Sequence, residues 1–144
     1  MEKLDGQSFY IQSVSSNKVF DISGGDQSNG AKLILYTLNG TDNQKFTLEK
    51  HGNFYAIKAV HSGLVLDVPA GSLENGEQII QYEGHGGNNQ LFSFEKGNNN
   101  GFYIRNVNSG KVIDIRGGSS DDCTPIDQYE FHGGENQLFI LLSI

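Results

Sequence analysis

The chain has one cysteine, two prolines and no tryptophan. It also lacks any apolar run long enough to cross a bilayer and any stretch with a sustained helical period. A lone cysteine, Cys123, excludes an internal disulfide framework and suits a reducing compartment. It has none of the partners that metal or nucleophile chemistry needs, and it reads as an exposed incidental thiol. Basic residues are scarce: 10 lysines and arginines against 17 acidic residues leave a net charge of −7. Nucleic acid and heparin need a clustered basic surface, so neither is expected as a partner. No membrane insertion, metal or cofactor is expected either. The opening segment MEKLDGQSF has no apolar core, so the expectation is a protein that is cytoplasmic or released without a signal peptide, and extracellular if a leader has been removed.

What is present is glycine, 19 of 144 residues, spread among Val, Ile, Phe and Tyr. That mixture describes many short strands joined by tight turns, an all-β chain of one domain over residues 1–144. Segments 9–48, 55–94 and 102–141 align without gaps at offsets of 46 and 47. Each begins on an aromatic (Phe9, Tyr55, Phe102) and continues to an apolar–Asp–apolar triplet around Asp21, Asp67 and Asp114. A glycine recurs four residues later (Gly25, Gly71, Gly118), then a tyrosine (Tyr36, Tyr82, Tyr129). Each closes on Asn-Gln-x-Phe, ending at Phe46, Phe92 and Phe139.

Alternating apolar positions predict four strands per unit, in the first near 9–14, 18–22, 32–36 and 45–49. Asn29-Gly30 and Asn75-Gly76, between the second and third strands, carry two-residue hairpin chemistry; the third unit has Asp122-Cys123 there. A forty-residue unit cannot bury both faces of its strands, so three must share one core. The expected architecture is a β-trefoil of three pseudo-symmetric four-stranded repeats, a short closed barrel capped by hairpins, which also removes exposed strand edges.

With these repeats the sequence resembles the ricin B-type lectins, whose units end in Gln-x-Trp. Phe46, Phe92 and Phe139 stand where the tryptophan usually is, a core position that phenylalanine fills without needing a partner for an indole N–H. The absent cysteine pairs place the chain nearer the disulfide-free members. The resemblance implies a sugar site in each repeat, built from a carboxylate, an aromatic face and an amide of that repeat. The sets are Asp21/Tyr36/Asn43, Asp67/Tyr82/Asn89 and Asp114/Tyr129/Asn136. An ionised aspartate accepts two hydroxyl hydrogen bonds, and the asparagine amide both donates and accepts. The tyrosine offers a platform for the C–H face of a hexose, worth ~1 kcal/mol. An axial 4-hydroxyl leaves that face flat, so the resemblance implies galactose or N-acetylgalactosamine, carried on glycoproteins or glycolipids, and agglutination by a multivalent lectin; it leaves room for a homodimer.

Other roles remain open for each position. The aspartates could pin the following turn, and the tyrosines could be wall residues. Gln44, Gln90 and Gln137 are placed to orient the aspartates rather than to touch sugar. His85 and His132 share a repeat position, held by Asn39 in the first unit, and could either close the rim or sit in solvent; His51 and His61 have no counterparts. The second and third units should bind best, since Gly86-Gly87 and Gly133-Gly134 let the loop approach a ligand where the first has Gly40-Thr41. Catalysis is not expected: a second carboxylate, Asp42 or Glu135, has Asn88 as its middle counterpart. The alternative is a protein-binding trefoil such as a protease inhibitor, which would need no repeated polar set.

Overall fold

Apolar residues at every second position turn these segments into strands with one face inward. In the computed structural model, which describes residues 4–144, strand β1 (Ser8–Ser13) buries Phe9, Ile11 and Ser13 and leaves the residues between them half-exposed. The first repeat continues with β2 (Val19–Ile22), β3 (Leu33–Tyr36) and β4 (Phe46–His51). The second has β5 (Phe54–Ala59), β6 (Val65–Asp67), β7 (Ile80–Tyr82) and β8 (Phe92–Lys96). The third has β9 (Phe102–Asn106), β10 (Val112–Ile115), β11 (Ile126–Tyr129) and β12 (Phe139–Ser143).

All pairings are antiparallel, and six strands close a ring: β1–β4, β4–β5, β5–β8, β8–β9, β9–β12 and β12–β1. The hairpins β2–β3, β6–β7 and β10–β11 lie beyond it. Single bridges Lys32–Ile80, Ile34–Pro125 and Gln78–Asp127 link each hairpin to the other two, so they cover one end as a triangle. This is the β-trefoil.

The core explains why the tryptophan can be absent. Phe46, Phe92 and Phe139 are fully buried, and Phe20 meets Phe46 and Phe139 edge-on at 6.2 and 5.1 Å. Each buried ring contributes roughly 1.5–3 kcal/mol by leaving water.

The turn between the second and third strands differs from expectation. It is a ten-residue connection, 23–32, and not a two-residue hairpin. A mirror-image hairpin turn needs positive φ at both central residues, and here only Gly30 (φ 90°) and Gly76 (φ 83°) have it, not the asparagines before them. In the third unit Cys123 takes the same left-handed conformation, at φ 70°, and is exposed as expected.

Candidate functional site

Each aspartate sits on the strand that leads into a one-turn 3-10 segment: Ser23–Gly25, Pro69–Gly71 or Arg116–Gly118. Two consecutive left-handed residues reverse the chain there, Gly24 and Gly25, Ala70 and Gly71, Gly117 and Gly118. Asp21, Asp67 and Asp114 are each only 4% exposed, a costly position for a carboxylate without partners.

The partner is the glutamine of the Asn-Gln-x-Phe motif. Gln44 Nε2 donates to Asp21 Oδ2 (2.9 Å), Gln90 to Asp67 (2.8 Å) and Gln137 to Asp114 (2.8 Å). The same amides donate to the carbonyls of Thr37, Glu83 and Glu130, and their Oε1 atoms accept from the backbone N–H of Asn39, His85 and His132. One buried side chain thus ties the aspartate to the rim loop in every repeat.

The asparagines carry a structural duty beside any binding one. Asn43, Asn89 and Asn136 donate at 3.0 Å to the carbonyls of Ile22, Val68 and Ile115, directly after the aspartates. In the second and third repeats this leaves one amide hydrogen and the amide oxygen for other uses. Asn43 is more committed: it also donates to Asp21 Oδ1 (3.2 Å), and Thr41 Oγ1 lies within hydrogen-bond distance of its oxygen.

The histidines are held in one tautomer. His85 Nδ1 accepts from Gly87 N–H and His132 Nδ1 from Gly134 N–H, both at 3.0 Å, so Nε2 carries the proton. His132 Nε2 lies 3.6 Å from Asp114 Oδ2. The paired glycines therefore have a reason other than the expected approach to a ligand. A β-carbon on Gly87 or Gly134 would meet the histidine ring at 2.6 or 2.7 Å. In the first repeat Asn39 Oδ1 takes the role of Nδ1, accepting from Thr41 N–H at 3.0 Å, and Thr41 is tolerated beside this smaller side chain.

Aspartate, tyrosine and asparagine of each set line one cavity, of about 530 Å³ in the third repeat, 420 Å³ in the second and 240 Å³ in the first. His85 and His132 line theirs, and Asn39 lines the first. Tyr82 and Tyr129 are 39% exposed and Tyr36 is half-buried, so all three rings keep a face towards solvent.

Two features were missed from the sequence. Walls of the third and first cavities come from the neighbouring repeat: Gly76 borders the third, and Cys123 the first. The third also contains Arg116, whose Nε and Nη2 grip Asp127 at 2.8 and 2.9 Å. Its counterparts are Ser23/Ile34 and Pro69/Ile80, so the three pockets differ most at two repeat positions that alignment alone displays. Among the described residues no group of three or more His, Cys, Asp or Glu is placed to hold a metal ion.

Burial is the largest influence on all three aspartates and raises their carboxyl pKa above the ordinary 3.8, against the glutamine hydrogen bonds that lower it. A ligand held by the carboxylate should then be released on acidification at a pH above that ordinary value. Titrating affinity from pH 7 downward checks this; a midpoint at or below 3.8 would show that the buried carboxylate is not the group being lost.

The repeats and the fold have known counterparts. A family model described as "Ricin-type beta-trefoil lectin domain-like" matches residues 2–82 and 88–143. No curated protein sequence matches the chain. Among solved structures, the designed three-fold symmetric protein ThreeFoil is 31% identical, with TM-score 0.93, covering 95% of this chain and 99% of its own. The exo-β-1,3-galactanase 1,3Gal43A from Clostridium thermocellum is 33% identical, with TM-score 0.93 over 97% of this chain, which spans only 31% of that enzyme chain. The C-half of an earthworm R-type lectin, solved with GalNAc, shares the fold at 24% identity and TM-score 0.78, covering 96% of this chain and 99% of its own. With a match over nearly its whole length, the chain belongs to the ricin-type β-trefoil lectin family.

Proposed function

We propose that the chain is a metal-independent, non-catalytic lectin module for galactose- or N-acetylgalactosamine-type glycans, with working pockets in the second and third repeats and a weaker first one. The observation that carries this reading is the threefold recurrence of a desolvated aspartate, pre-oriented by a buried glutamine and set beside an amide and a tyrosine with an open face. Such an acceptor meets adjacent hydroxyls with charge-assisted bonds and little reorganisation. The ring supplies the apolar platform for the flat face of the sugar. The ranking rests on the larger cavities of the second and third repeats and on the committed Asn43 and Thr41 of the first.

Catalysis is not part of the proposal. The one additional carboxylate among the described residues that line the aspartate pockets, Asp127, is locked to Arg116 and has isoleucine counterparts in the other repeats. Its partners would be glycoproteins or glycolipids, engaged through several weak sites whose avidity exceeds each by roughly 10²–10⁴. Retention on immobilised galactose should survive EDTA and yield to free galactose or lactose, with two to three sites per chain by calorimetry. Elution by EDTA but not by sugar would overturn the reading.

A further inference from the structure

A fourth cavity, of about 370 Å³, lies outside the aspartate pockets, on the other side of the loop that carries His85. Its floor is apolar, made by Ala56, Val65 and Leu91, and its edge carries His51 and the Glu49–Lys58 ion pair (3.2 Å). The reason it is open is visible in the repeat register. Ala56 corresponds to Tyr10 and Tyr103, and Gly84 to Leu38 and Phe131. Two rings occupy this place in the third repeat, Tyr10 and Leu38 stand at these positions in the first, and two small residues leave it open in the second.

The third repeat shows what such a space accommodates. Tyr103 and Phe131 meet there edge-to-face at 4.8 Å, and the Tyr103 hydroxyl donates to the Gly133 carbonyl at 3.4 Å. Arg105, paired with Glu95, lies 5.5 Å from the Phe131 centroid. Around this cavity the equivalents of everything except the rings are present: Gly86 for Gly133, Lys58 for Arg105, and Glu49 at the end of the first repeat for Glu95 at the end of the second. We infer that this cavity is a binding site for a small phenolic ring, which takes the place of the missing tyrosine. Val65 and Leu91 hold the ring, and the Gly86 carbonyl accepts from its hydroxyl as the Gly133 carbonyl does from Tyr103. The site is separate from the galactose reading and stands or falls without it.

The probe is 4-methylphenol, the tyrosine side chain itself, added while the methyl NMR signals of Ala56, Val65 and Leu91 are followed. Saturable shifts confined to those methyls are expected. Filling the cavity with Ala56→Tyr and Gly84→Phe should abolish them at an unchanged melting temperature. Gly84 has ordinary φ, and a β-carbon there meets nothing closer than Val65 at 3.8 Å, so a side chain is tolerated. If the double variant fails to fold, Gly84→Leu, copying Leu38, serves in its place. No saturable shift up to ~10 mM, equal binding by a filled variant that folds, or shifts at Tyr82 or Tyr129 instead would each overturn the assignment.

Discussion

Asparagine in place of Asp114 is expected to weaken galactose at the third pocket about tenfold or more, because hydrogen bonds to a charged acceptor are worth roughly 1.5–3 kcal/mol. Asp67→Asn should do the same at the second pocket, and Asp21→Asn should matter less. Stability should move the other way. Burial raises these carboxyl pKa values in the folded protein, so the folded state holds its protons more tightly than the unfolded one. Stability therefore falls as pH rises from the unfolded pKa through the folded one, and at neutral pH each charged aspartate detracts from it. Asparagine removes that cost and still offers an oxygen to Gln137 Nε2. Calorimetric titration with melting curves checks both signs. If Asp21→Asn alone abolishes binding, the ranking of pockets is wrong; if all three variants unfold, the aspartates belong to the scaffold.

Gln137→Leu should be the more damaging change, although the glutamine touches no ligand in this scheme. It removes the donor to Asp114 and Glu130 and the acceptor for the His132 and Gly133 N–H groups, within a side chain that is fully buried. Leaving buried polar groups unpaired costs ~1–3 kcal/mol each. A loss of about 3 kcal/mol, or roughly 10 °C in melting temperature, is expected together with loss of sugar binding at that pocket. An unchanged melting temperature would show that the loop is held by something other than this amide.

Contrasting these two positions shows what can be read without coordinates. The repeat register exposes both residues, and their equal spacing in three copies implies that they meet. Trefoil architecture was legible for the same reason: identical core residues at fixed offsets admit few closed arrangements. The Asn29-Gly30 turn was misjudged because dipeptide chemistry reports φ at one residue, not the number of residues the chain takes to return. That Gly76 and Cys123 wall a neighbouring pocket has no trace in the sequence of either repeat, because contact between repeats is not written in the order of one. Arg116–Asp127 and the Ala56–Gly84 void were legible in principle. Both lie where the repeats disagree, outside the motif that all three share.

The borrowed walls bear on engineering. Gly76 borders the third pocket and Cys123 the first, while Gly30 N–H bonds the Gln81 carbonyl in β7 at 2.8 Å, so the corresponding turn leans on the second hairpin too. A first or third repeat taken alone would therefore lack one wall of its pocket, whereas the second pocket is lined by its own repeat. For the present chain, moving the termini to a junction between repeats should leave every pocket whole, whereas deleting one repeat would damage more than the pocket it carries.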